Sequence, residues 1–328
     1  MRPWMVKLAA ASTAAMALLA GGPASAQTDY PNRPIRFVLI ASAGSGGDTI
    51  GRLFAERMAP LVKGSFFVDN KPGASGAIAT DLVAKAPPDG YTLLLGGYTT
   101  HVLLPTINPK LPYDSVKDFA PVGRIGTASI LLVAANDFPA NNLKELLAYG
   151  KSHPGLQYAS WGNGSTGHFC GELLAQKRQL QLSHVPYKGV AQIQTDLLGG
   201  HIKLGFLDMA SGSPMVKSGR LKAIAACTSR TPSLPGVTSY EDEGIDFDGK
   251  RVSPPMWAVY APAGTQRPVM EKLSAALKTV VDMPDVKAKL LELGVTDAYL
   301  NGDELRESNA ANIEAWRQIA KKGNITAD

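Results

Sequence analysis

Short apolar runs alternate along the chain with segments whose apolar positions recur at helical spacing. Ile35-Arg36-Phe37-Val38-Leu39-Ile40 predicts a buried strand, and Thr49 to Pro60 places Ile50, Leu53, Phe54 and Met58 on one helical face. Phe66-Phe67-Val68 predicts a second strand and Ala77 to Lys85 a second helix, stopped by the turn residues Pro87-Pro88-Asp89-Gly90. Thr92 to Leu95 predicts a third strand. This strand–helix–strand grammar predicts an α/β fold with a mostly parallel sheet and helices on both faces.

The grammar restarts near residue 128. Ile130 to Ala135, Leu156 to Ser160, His184 to Tyr187, Ile202 to Leu207 and Leu221 to Cys227 predict strands. Asn142 and Glu145 make a capping-box-like start for a helix over Leu143 to Lys151. A further helix over Val190 to Leu198 ends at Gly199-Gly200. After a Pro- and Gly-rich loop from Thr228 to Pro255, Met256 to Tyr260 predicts a strand, followed by helices over Pro268 to Val281, Pro284 to Leu293 and Asp303 to Lys322. This tail has too little strand for a domain of its own and is expected to complete the first half. The expected division is one lobe from residues 27–128 and 252–328 and a second from 129–251. Two crossings, near residues 125–130 and 251–256, would act as a hinge.

Composition changes this picture mainly at the N-terminus. Arg2 and Lys7, an apolar run from Leu8 to Ala20 and the small residues Ala24-Ser25-Ala26 predict a cleaved secretory signal over residues 1–26. Its apolar run falls short of the roughly 20 residues of a membrane helix. Export to the periplasm follows, and roughly 300 residues remain, enough for two lobes with separate cores. The formal net charge is +5, two units of it in the leader, and no basic run suits nucleic acid. Cys170 and Cys227 are the two cysteines. Export permits a bridge between them, and two buried thiols are the alternative. The five histidines are scattered, and no Cys/His spacing predicts a metal site.

Two loops crowded with small residues stand between a strand and a helix, one in each half. Ser42-Ala43-Gly44-Ser45-Gly46-Gly47-Asp48-Thr49 is the first, and Asn163-Gly164-Ser165-Thr166-Gly167-His168, preceded by Trp161 and Gly162, is the second. Backbone N–H groups at such helix starts suit a carboxylate without Lys or Arg. Ser or Asp serving simply as helix caps is the competing reading. Gly162-x-Gly164-x-x-Gly167 fits a dinucleotide fingerprint, but no acidic residue follows at ribose distance in Ser183 to Gly189, so no cofactor is expected. Asp48 would repel phosphate and is better placed as a cap or water organiser. Ser165 and His168 could be imagined as nucleophile and base of an exported hydrolase, but no acid partner is indicated. Tyr98, Thr99, His101, Tyr187, Lys188 and Asp208 follow strands and are expected at the same cleft. Lys188 could equally be a solvated surface lysine. Trp161 either stacks on an aromatic ligand or packs in the core.

Ordered motifs along the chain resemble the substrate-binding proteins of tripartite tricarboxylate transporters, the Bug family. They are Tyr30 to Ile35, Ser42 to Asp48, Asp69 to Gly76, Pro88 to Leu93, Leu111 to Asp114 with Lys117-Asp118-Phe119, Tyr158 to Ser160, Gly162 to His168, His184 to Gly189 and Asp196 to Gly200. The resemblance implies a two-lobed periplasmic binding protein, a type II-like Venus flytrap, monomeric and non-catalytic. It would hand a small carboxylate to membrane transporter subunits. The resemblance also implies that the two small-residue loops hold one carboxylate, partly through ordered water. Ile40-Ala41, where the family often has Pro-Phe, and Trp161, where it usually has a small residue, depart from the pattern. With Tyr98, Trp161 favours an aromatic or short dicarboxylate such as terephthalate. A sensory receptor of the same fold feeding a membrane kinase is the alternative.

Overall fold

The computed structural model describes residues 30–227, 230–245 and 254–323. The expected leader over residues 1–26 and residues 251–253 of the crossing expected near 251–256 lie outside them.

The first lobe opens with β1 (Ile35–Leu39), α1 (Gly46–Val62), β2 (Phe66–Asn70), α2 (Ala77–Ala84) and β3 (Thr92–Gly97). A single wide π-helical turn over Thr99–Leu103 then runs into the short α3 (Leu104–Ile107), followed by β4 (Phe119–Ala128). After Ser129 the second lobe supplies β5 (Ile130–Ala134), α4 (Leu143–Ser152), β6 (Leu156–Ser160), α5 (Thr166–Arg178) and β7 (Leu182–Pro186). It continues with α6 (Val190–Leu198), β8 (Leu204–Asp208), α7 (Met209–Lys217) and β9 (Lys222–Ala226). The chain returns to the first sheet through β10 (Met256–Pro262), α8 (Arg267–Asp282), α9 (Pro284–Glu292), β11 (Val295–Asn301) and α10 (Gly302–Gly323).

The strand orders are β11-β4-β10-β3-β1-β2 and β7-β6-β8-β5-β9. Both sheets are mixed rather than mostly parallel. β2-β1-β3 and β7-β6-β8 are parallel, as their crossover helices require. β10, β4 and β11 pair antiparallel, and so do β5 and β9 with their neighbours. The reversal arises where strands carry the chain between lobes and back. At that passage the Ala128 N–H donates to Pro255 O at 2.8 Å, so the two connecting segments run side by side.

Each sheet has its own core. Val38, Leu94, Val102, Ala258 and Tyr260 centre the first, and Leu132, Tyr158, Leu174, Phe206 and Ala225 the second. Cys170 and Cys227 are joined in a disulfide inside the second core, with Cα atoms 5.8 Å apart. The capping expected at Asn142 forms: its Oδ1 accepts the Glu145 N–H at 2.9 Å, while Glu145 reaches back to the Asn141 N–H at 2.7 Å.

His101 is a correction to the expected cleft residues. It lies fully buried in the first core, its ring stacked on Tyr260 at 3.6 Å and edge-on to Phe119 at 4.9 Å. It follows β3, but the π-helical turn there points it inward. Burial pushes its pKa down to about 3, against an opposing contact with the Gly97 backbone. The unfolded chain therefore takes up a proton near pH 6.5 that the folded one refuses, and stability falls as pH drops through that window. Between pH 7 and pH 5 this histidine should cost about 2 kcal/mol. Urea unfolding at both pH values, in the native protein and in His101→Gln, measures the difference; equal pH slopes would refute the assignment.

Candidate functional site

The cleft between the lobes is shut. Among the described residues, hydrogen bonds cross it at several points. The Gly46 N–H donates to Ser211 Oγ at 2.8 Å, and the Ala191 N–H to Ser42 Oγ at 3.2 Å. Ser75 Oγ donates to Asn163 O at 2.6 Å. Thr99 and Thr166 share a hydroxyl–hydroxyl bond of 2.7 Å, and the Thr166 N–H also reaches Thr99 Oγ1 at 3.3 Å. An apolar contact joins them: Phe169 of α5 meets Trp316 of α10 edge-on at 4.8 Å.

Between these contacts lies a cavity of about 80 Å3, room for several waters at about 10–15 Å3 each or for one small organic acid. Its walls carry the hydroxyl residues Ser42, Ser45, Ser75, Thr99, Ser129 and Thr166. Apolar faces come from Ile40, Tyr98, Ile130, Trp161, Met256 and Trp257. Asp208 and Lys188 are its two charged lining residues, Asp208 buried and Lys188 exposed.

Each small-residue loop turns a strand end into a helix start. Ser45 caps α1, its Oγ accepting the Asp48 N–H at 3.4 Å, and Ser165 caps α5, accepting the His168 N–H at 3.2 Å. Both helices thus aim their positive ends at the cavity, with Ser45 and Thr166 on its wall. Asp48 does not line the cavity; it holds the first loop together. Its carboxylate accepts the Gly44 N–H, Asn70 Nδ2 and Arg52 Nε, each at 3.0 Å. Burial would raise its pKa, but these bonds outweigh burial and keep it below the usual carboxylate value.

The second loop is braced in the same way. The Gly164 N–H donates to His168 Nδ1 at 3.1 Å, which leaves the imidazole proton on Nε2, 3.8 Å from Glu172. His168 stacks on His184 with centroids 4.2 Å apart. Burial lowers the pKa of both rings, with Glu172 pulling His168 the other way, and takes His184 to about 4. Ser165 is fully buried and donates to Ser160 Oγ at 3.0 Å. Its hydroxyl meets the His168 backbone and not the ring, so the pair lacks the geometry of a nucleophile and its base.

Of the residues expected at the cleft, Ser42, Ser45, Tyr98, Thr99, Trp161, Thr166, Lys188 and Asp208 line the cavity. Tyr98 shows it only a ring, since its hydroxyl accepts from Trp316 Nε1 at 2.7 Å and donates to Asn312 at 3.0 Å. Ala43, Gly44, Gly47 and Thr49 shape the first loop behind the wall, and Gly167 packs on Trp161 and Phe206. Asn163 and Tyr187 lie on a neighbouring outer groove, where the Tyr187 hydroxyl donates to Asp196 at 2.6 Å. Gly164, at φ +71°, faces Ile107 and Leu104 of the other lobe, where a Cβ would come within 2.8 Å.

Sequence reasoning missed Ser75, Ser129, Ile130, Met256, Trp257 and Ser211. Ser75 sits in the Asp69 to Gly76 motif, which carried the family resemblance without being assigned to the site. Ser211 had a legible signal, the Asp208-x-x-Ser211 spacing of a helix cap, hidden by Gly212 and Pro214. Trp257 reaches the cavity only because β10 returns beside β3.

The Tripartite tricarboxylate transporter family receptor model matches residues 50–325. A UPF0065 protein from the gbd 5′ region of Cupriavidus necator is 33% identical over 316 residues, covering 95% of this chain and 94% of that one. The solved periplasmic binding protein BugD is 32% identical with a TM-score of 0.84, over 90% of this chain and 99% of that one. R. palustris Rpa4515, solved with adipate, is 29% identical with a TM-score of 0.85, over 91% and 99%. With its two mixed sheets closed over one cavity, the chain belongs to the tripartite tricarboxylate transporter receptor family.

Proposed function

We propose that this chain is a periplasmic receptor that encloses one small carboxylate between its lobes and delivers it to the membrane subunits of a tripartite tricarboxylate-type transporter. The observation that carries this reading is the shut cleft, where two helix N-termini and a ring of hydroxyls meet at one small cavity. Such a wall stabilises a carboxylate through aligned dipoles and neutral donors. Ser42 Oγ accepts from Ala191 and keeps its own proton to donate. The rings of Trp161, Tyr98 and Trp257 fit the apolar body of the acid, which supports an aromatic or short dicarboxylate. The adipate in the related structure supports a diacid of that length. The lobes, 27–128 with 252–328 and 129–251, would swing about the paired segments at Ala128 and Pro255.

Periplasmic residence is supported by the description of BugD and by the disulfide, which persists in an oxidising compartment. A thermal-shift screen over aromatic, aliphatic and hydroxy acids tests the reading. An acid at 100 times its Kd should add about 2.7 kcal/mol, which raises Tm by about 4 °C for a chain of this size, with no product formed. Stabilisation by aliphatic acids alone would remove the aromatic reading. Stabilisation by none of them would remove the carboxylate receptor itself.

A further inference from the structure

The cross-cleft bond at Gly46 differs from the others in where it ends. Gly46 is the first residue of α1, and its N–H is one of the donors a helix leaves without an internal partner. Its acceptor, Ser211 Oγ, passes its own proton to Asp208 Oδ2 at 2.7 Å, while the Ser211 N–H donates to Asp208 Oδ1 at 3.0 Å. Gln194 of α6 holds the Ser211 carbonyl at 3.1 Å. Asp208 thereby caps α7 directly and α1 through a hydroxyl. The positive ends of two helices from opposite lobes share one buried carboxylate. A chain running from N–H to O–H to carboxylate is polarised along its length and stronger than neutral hydrogen bonds. The backbones are also close: a Cβ on Gly46 would stand 2.4 Å from Ala210 C.

We propose that Ser211, positioned by Asp208, is the latch of the cleft. It sets how long the lobes stay shut on a captured acid, and leaves the choice of acid to the other walls. When the lobes part, Gly46 and Ser211 both lose this partner to water, while Asp208 keeps its cap on α7. The latch therefore belongs to the closed form and acts on the dissociation rate. Its effect on release rests on the receptor reading; its effect on closure does not.

The test is Ser211→Ala, followed by small-angle scattering of the free protein and stopped-flow binding of the acids that stabilise the native chain. The free protein should expand. Dissociation should speed up by about tenfold, the scale of one net hydrogen bond, with association within twofold and the ranking of acids unchanged. Asp208→Asn, which keeps an acceptor for the hydroxyl, should dissociate more slowly than Asp208→Ala. Asn also supplies the α7 cap, so the unfolding stability of the two Asp208 variants separates loss of that cap from loss of the latch. An unchanged dissociation rate with an unchanged scattering profile overturns the latch. A changed ranking of acids also overturns it, since Ser211 would then be a ligand contact. If no acid binds the native protein, the receptor reading fails, and scattering of the free forms still decides the latch.

Discussion

Gly46→Ala should weaken carboxylate binding by about 10- to 100-fold while the protein folds normally. The added methyl would sit 2.4 Å from Ala210 C and 2.5 Å from Ser211 N, both backbone atoms that no rotamer change can move aside. Within its own lobe the change is benign, because alanine is the better helix former at the start of α1. The damage is confined to the closed arrangement, which must stay ajar or shift α1 against α7. Calorimetric titration with a stabilising acid gives the affinity, and far-UV dichroism of the free protein controls for folding. Affinity within twofold of the native value would mean that the closed cleft is not the binding form.

Removing the Cys170–Cys227 bridge should cost about 4 kcal/mol, lowering Tm by about 6 °C. The span between the cysteines is 57 residues, and closing a loop of that length in the unfolded chain removes conformational entropy on this scale. Both positions are almost fully buried, so paired alanines avoid leaving polar groups in the core. The bridge ties α5 to the end of β9, and α5 begins at Thr166 on the cavity wall. Affinity should therefore fall far less than stability. Denaturant unfolding of Cys170→Ala/Cys227→Ala against the oxidised protein measures the loss. A difference below about 1 kcal/mol would show that the unfolded chain is already constrained over this span.

The local grammar of the fold is legible in the sequence. β1, α1, β2, α2 and β3 follow from apolar runs, helical spacing and turn residues, and β6 through β9 follow likewise. β4 escapes because Pro121, Gly123 and Gly126 look like a loop. In the sheet those glycines are close-packing positions: a Cβ on Gly126 would lie 2.5 Å from Thr296 O of β11. α7 escapes because Gly212 and Pro214 argue against a helix, although Asp208 supplies its cap. The two loops could be placed at a cleft because a strand followed by small residues and a helix is a local pattern. Their use was less legible. Sequence reasoning expected their amides to face a ligand. Several of those amides are engaged by the protein itself: Gly44 by Asp48, Gly46 by Ser211, Gly164 by His168 and Thr166 by Thr99. Two of these partners lie on the opposite lobe, a pairing between distant segments that neither loop's sequence encodes.

The bond from Ala128 to Pro255 has a practical consequence for measurement. In the proposed swing of the lobes about these segments, this tie opposes shear between Ala128 and Pro255. A dye pair placed across the rims of the cleft would read that swing as a change in one distance.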